Sequence, residues 1–83
     1  MVAVTKEAEM FGARVRELRE KAGMTQEKLA QAADLTTSFV STVERGQKMP
    51  SLNTILKLAR GLRIDARELL SGFSYDALRR MKL

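Results

Sequence analysis

The sequence predicts an all-α domain of five short helices followed by a short C-terminal extension. Three observations carry this. Apolar residues recur at helical spacing, as in Phe11, Val15 and Leu18, or Ile55, Ala59 and Leu62. Residues suited to helix N-caps stand before such segments at Thr25, Thr36, Ser51 and Asp65. No stretch carries a strand signal. The 83 residues suffice for one helical core but not for two.

Residues 1–6 lack this periodicity, and residues 1–8 are expected to form a flexible N-terminus. From Glu7 the pattern tightens, with Phe11, Val15, Leu18 and Ala22 at i, i+4, i+7 and i+11, and Gly23 ends the first helix. Its outer positions, Arg14, Arg16, Glu17, Arg19, Glu20 and Lys21, mix signs as a solvated face does. Thr25 caps the second helix, with Glu27 near its positive end. Leu29, Ala30, Ala32 and Ala33 are expected inside, the small alanines allowing a neighbouring helix to approach closely. Asp34 stands where the chain must turn sharply through the left-handed region, which Asp enters more readily than most residues. Leu35 is the expected buried pin of that turn.

Thr36 caps a third helix that ends at Arg45-Gly46. At roughly 100° per residue, Thr37, Ser38, Ser41, Thr42 and Arg45 fall within an arc of about 140°. Phe39, Val40 and Val43 fall on the opposite arc and pack inward. An outer face of small hydroxyls, in place of the usual Lys/Glu mix, brings the helix backbone close to a partner. After the loop Gln47 to Pro50, Ser51 caps a fourth helix with Leu52, Ile55, Leu56, Ala59 and Leu62 expected inside. Asp65 and Glu68 resemble a capping box for a short fifth helix, Ala66 to Leu70. Gly72 then breaks the pattern, and Ser74 could cap one or two further turns. The expected organisation is therefore a domain over residues 9–71 and an extension over 72–83.

Composition narrows the function. Fifteen Lys and Arg against ten Asp and Glu leave a net charge of +5, which favours a polyanionic partner. With no Cys and no His, disulfides, zinc fingers, thiol nucleophiles and His-based acid/base pairs are excluded. No arrangement sets a nucleophile beside a base, so no enzyme, metal site or cofactor is expected. Neither a secretory h-region nor a run of 18 apolar residues is seen, which makes the cytoplasm the expected compartment.

The string Thr25-Gln26-Glu27, Leu29-Ala30, Ser41, Glu44-Arg45-Gly46, Pro50-Ser51-Leu52 and Leu58-Ala59 resembles the phage-repressor and Cro type of helix-turn-helix domain, also called the xenobiotic-response-element (XRE) family. The resemblance spans residues 9–70. In size and layout the chain looks most like free-standing bacterial members such as restriction-modification controller proteins and small repressors. It implies double-stranded DNA as partner, with the third helix in the major groove and the second across the backbone. Carried over by position, it implies base reading by Thr37, Ser38 and Thr42, with Ser41 and Phe39 close by. Thr methyls and the Phe39 ring can pack on thymine methyl groups, although for Phe39 a ring closing the edge of the core is the preferred reading. Gln26 would bond a phosphate through its side chain and backbone N–H. Arg45, Gly46 and Lys48 would grip the next phosphates. Arg19 and Glu44 would form a structural ion pair, and Glu44, at the edge of the buried arc, needs such a partner. An N-terminal arm reaching a groove would carry only Lys6 as a cation.

Three departures from the family pattern stand out. Asp34 and Arg63 occupy turn positions where Gly is usual, and Gly61 stands where Ala is commoner. No Arg, Asn or Gln occupies Thr37, Ser38 or Thr42, so direct readout should be modest and specificity should lean on DNA shape and half-site spacing.

One helix reads too few base pairs to find a single site, so a homodimer on a pseudo-palindrome is expected, with half-sites about 34–36 Å apart. The expected interface is the late apolar cluster Leu69, Leu70, Phe73, Tyr75 and Leu78. The same stretch with Arg79, Arg80 and Lys82 is too short to anchor firmly to a membrane. The rival reading is an antitoxin-like module that holds a partner protein, with DNA binding secondary.

Overall fold

The computed structural model describes residues 5–83 and contains six helices: α1 (Lys6–Lys21), α2 (Gln26–Ala33), α3 (Thr37–Glu44), α4 (Leu52–Leu62), α5 (Ala66–Leu69) and α6 (Tyr75–Arg80). No strand occurs among the described residues.

Local chemistry starts most of these helices. The hydroxyls of Thr5, Thr25, Thr36, Ser51 and Ser74 each accept the backbone N–H three residues on, from Ala8, Lys28, Phe39, Thr54 and Ala77. Asp65 is the exception. It makes no side-chain cap bond, and its carboxylate instead lies 3.3 Å from Arg67 Nη2, so the expected capping box does not form. Left-handed residues close α2 and α4: Asp34 has φ 57° and Arg63 has φ 60°. Beyond each, an apolar residue folds back onto the core, Leu35 donating its N–H to Ala30 O and Ile64 to Ala59 O.

The core is built around Phe11, Val15, Leu29, Ala33, Val40, Val43, Leu58 and Leu69, all at 0% exposure. Where α1 crosses α3 the backbones nearly touch. A Cβ on Gly12 would meet the Val43 carbonyl oxygen at 2.1 Å, so only glycine permits this approach. Small residues serve α2 and α4 in the same way, with Gly61 against Ala33. Arg14 ties α5 to α1 by donating from Nε to the Glu68 carbonyl at 2.8 Å.

Several sequence expectations are corrected. Residues 5–8 are not a flexible lead: Thr5 caps α1 and Ala8 is buried. Residues 1–4, the rest of the expected flexible N-terminus, lie outside the described residues. Ala22 and Ala32 are exposed. On α4, Leu52 is 67% and Leu56 is 49% exposed, while Leu58 fills the core. At 100° per residue, Leu58, Leu62, Ile55 and Ala59 share an arc of about 100°, and Leu52 and Leu56 fall just beyond it. That flank is the one turned away from Gly61, hence away from α2. The fifth helix ends at Leu69, and the extension forms a helix, α6, that buries none of its residues.

Candidate nucleic-acid interface

The turn between α2 and α3 spans only Asp34, Leu35 and Thr36, which locks the two helices together. Val40 and Val43 anchor the inner face of α3, and Gly12 lets that face lie directly on α1. The outer face follows from this anchoring. Thr37, Ser38 and Arg45 are exposed, and Ser41 and Thr42 are half-buried. The Thr42 hydroxyl turns back along the helix and donates to the Ser38 carbonyl at 2.9 Å.

At the end of α3 the Glu44 carboxylate gathers three donors. Arg19 Nε donates to Oε2 at 2.6 Å, Arg19 Nη2 to Oε1 at 3.0 Å and Gln26 Nε2 to Oε1 at 3.1 Å. Arg19 Nη1 donates to the Met24 carbonyl at 2.8 Å, so one guanidinium joins α1, the loop before α2 and the end of α3. The side chains of Arg19 and Glu44 are 11% and 3% exposed. Donating to the Glu44 carboxylate holds the Arg19 pKa above its ordinary value, against the opposing effect of burial. Gln26, the first residue of α2, is thus fixed through its side-chain amide, a contact that spacing alone did not show. The Gln26 amide keeps a second proton, and of the first-turn backbone N–H groups that of Lys28 is taken by the Thr25 hydroxyl.

The loop after α3 depends on Gly46. Its φ is 73°, a Cβ there would meet Glu9 Cα at 2.9 Å, and Gln47 N–H closes the helix on the Thr42 carbonyl. Arg45 and Lys48 project into solvent on either side of it. Lys48 Nζ lies 5.2 Å from the centre of the Phe39 ring, whose body packs against the core.

The expected dimer cluster is divided. Leu69 is fully buried within the domain, so it cannot meet a second chain; this corrects its expected place in a dimer interface. Phe73 is half-buried against the core, whereas Leu70, Tyr75 and Leu78 are 39%, 77% and 40% exposed. A second apolar surface, Met49 with Leu52 and Leu56, was missed because helical periodicity places those leucines beside the core stripe. Among the described residues no group of His, Cys, Asp or Glu is arranged to hold a metal ion, and no helix is long and apolar enough to cross a membrane.

Comparison with known proteins adds to this geometry. A helix-turn-helix domain family model matches residues 10–71. Control protein C.BamHI of Bacillus amyloliquefaciens is 40% identical over 62 residues, covering 74% of this chain and 76% of its own length. The uncharacterized HTH-type transcriptional regulator YazB of Bacillus subtilis is 41% identical over 63 residues, covering 76% of this chain and 91% of that protein. The crystal structure of the restriction-modification controller protein C.AhdI from Aeromonas hydrophila superposes with a TM-score of 0.74 at 51% identity, over 76% of this chain and 96% of that one.

Proposed function

The chain belongs to the helix-turn-helix family of DNA-binding transcriptional regulators, which are not enzymes, and from that premise we propose that it binds a pseudo-palindromic operator as a homodimer with α3 in the major groove. The observation that carries this reading is the outer face of α3. Thr37, Ser38, Ser41 and Thr42 are short enough to let the helix backbone approach base edges, and Val40 and Val43 hold the opposite side rigidly in the core.

The remaining groups fall into place around that helix. Gln26, held by Glu44, offers its second amide proton and the α2 N-terminus to a phosphate. Arg45 and Lys48 flank Gly46 and neutralise the phosphates beyond, with Phe39 positioning Lys48 in place of contacting thymine. Repression or activation then depends on where the operator lies, and the cytoplasm is the compartment this role requires.

The test is selection of sites from random duplex DNA near physiological salt, comparing wild type with a Thr37→Ala/Ser38→Ala/Thr42→Ala variant. A two-fold symmetric site that relaxes in the variant supports the reading. Salt-sensitive binding without enrichment would reject sequence-specific recognition and leave the electrostatic contribution alone. Arg45→Ala and Lys48→Ala should weaken all sequences alike and lower the salt slope by about 1 each.

For the dimer, Leu70 at the end of α5, with Tyr75 and Leu78 of the extension, supplies one set of exposed apolar residues. Met49, Leu52 and Leu56 supply a second. Sedimentation equilibrium of Leu78→Lys and Leu56→Lys separates them, since the substitution that lies in the interface yields monomers. A protein-holding, antitoxin-like role gains support from α6, a helix none of whose residues is fully buried within its own domain. That role predicts loss of partner binding, with operator binding intact, when α6 is removed.

A further inference from the structure

The four hydroxyls on the outer face of α3 are not equivalent. A carbonyl oxygen can only accept, so the 2.9 Å contact between Thr42 Oγ1 and Ser38 O makes Thr42 the donor. A hydroxyl has one proton, and that proton is committed inside the helix. What Thr42 retains for a ligand is its methyl group and the acceptor capacity of its oxygen. Among the described residues, the hydroxyls of Thr37, Ser38 and Ser41 make no such internal bond, so each keeps both a donor and an acceptor role.

Resting on the DNA-reading role proposed above, we infer that Thr42 is a one-sided reader that selects an A·T pair through the thymine 5-methyl group and does not donate to the base. The major-groove edges of the bases decide this. Guanine presents only the acceptors N7 and O6, which oppose an oxygen with no proton to give. An A·T pair presents both features Thr42 can use, a methyl group on thymine and the N6 amino donor on adenine. A G·C pair offers an amino donor on cytosine but no methyl. Turning the hydroxyl outward to donate would forfeit the bond to Ser38, so an acceptor on the base brings no net hydrogen bond. The small hydroxyl face thus acquires a preference at one position without a long bidentate side chain.

The experiment uses the full chain and the operator obtained by random-duplex selection. The position that relaxes in Thr42→Ala identifies the pair that Thr42 faces. Deoxyuridine is then placed there for thymidine, which deletes only the 5-methyl group. Wild-type binding should weaken about fourfold, the worth of one buried methyl. Thr42→Val, which keeps the methyl and loses the hydroxyl, should bind within about twofold of wild type and stay as sensitive to deoxyuridine. Thr42→Ser should lose that sensitivity. The inference is overturned if the position selects G·C, if deoxyuridine is tolerated by wild type, or if Thr42→Val relaxes selection as far as Thr42→Ala. Failure to recover any enriched site overturns the DNA-reading proposal itself and this inference with it. A recovered site that ignores the methyl overturns only the inference. Melting of each variant, expected within a few degrees of wild type because Thr42 lies outside the core and its one hydrogen bond is internal to α3, confirms that the fold is intact.

Discussion

Glu44→Ala should destabilise the domain far more than a surface ion pair would. The carboxylate is 3% exposed and accepts from Arg19 twice and from Gln26 once. Removing it leaves the Arg19 guanidinium, itself only 11% exposed, with a single remaining protein acceptor at the Met24 carbonyl. Breaking a buried pair from one side costs about 3–5 kcal/mol, because a desolvated charge loses its compensation. A chain of 83 residues at about 0.05–0.15 kcal/mol per residue has a total stability on the order of 4–12 kcal/mol, so a quarter or more of it is at stake. At about 4–8 °C per kcal/mol, the melting temperature should fall by at least about 12 °C.

The assay is thermal and urea denaturation followed by circular dichroism for Glu44→Ala, Arg19→Met and Arg19→Met/Glu44→Leu. The double variant removes both charges and should recover most of the stability, since apolar replacement of a buried pair is often neutral or better. Its operator affinity should still fall, because the Gln26 amide has lost the oxygen that orients it. A drop below about 4 °C in Glu44→Ala, which corresponds to no more than about 1 kcal/mol, would refute the reasoning. So would a double variant no more stable than the single ones.

Other consequences are smaller or simpler. Arg63→Gly should stabilise by about 0.5–1 kcal/mol in urea melts, relieving a non-glycine residue at φ 60° after subtraction of the extra freedom glycine has when unfolded. Asp34→Gly should gain less, since Asp tolerates that region and its contact with Lys57 at 3.9 Å would be lost. Gly12→Ala should cost at least about 3 kcal/mol or prevent folding, because the new methyl meets backbone and not a movable side chain. Leu69→Ala should cost about 2–5 kcal/mol as a core cavity, where an interface residue would instead alter only association. Arg19 has a raised pKa in the folded state, so its contribution is fully present below the unfolded value and is lost only as pH rises through the folded one. Urea midpoints between pH 7 and 10 should therefore show no loss traceable to Arg19.

Local rules account for what the sequence by itself determined: the all-helical class, the caps at Thr25, Thr36 and Ser51, and the close of α2 at Asp34. The family and the turn at Arg63 are legible from the longer motif over residues 9–70. Each local feature depends on a few neighbouring residues, so spacing and residue type suffice. The inner and outer faces of α3 were legible for the same reason, since Val40 and Val43 stand opposite the hydroxyls whatever else the chain does. Tertiary structure alone decided which side of an apolar stripe is covered. Leu52, Leu56, Leu58 and Leu69 look alike in sequence, yet the neighbouring helices cover Leu58 and Leu69 and leave the flank of Leu52 and Leu56 bare. Periodicity defines a direction on a helix, but burial depends on what other elements lie in that direction. Polar contacts were hidden in the same way. Gln26 reaches Glu44 across 18 residues, and the Thr42 proton is spent on Ser38, because distance and rotamer, not residue type, choose among the acceptors within reach.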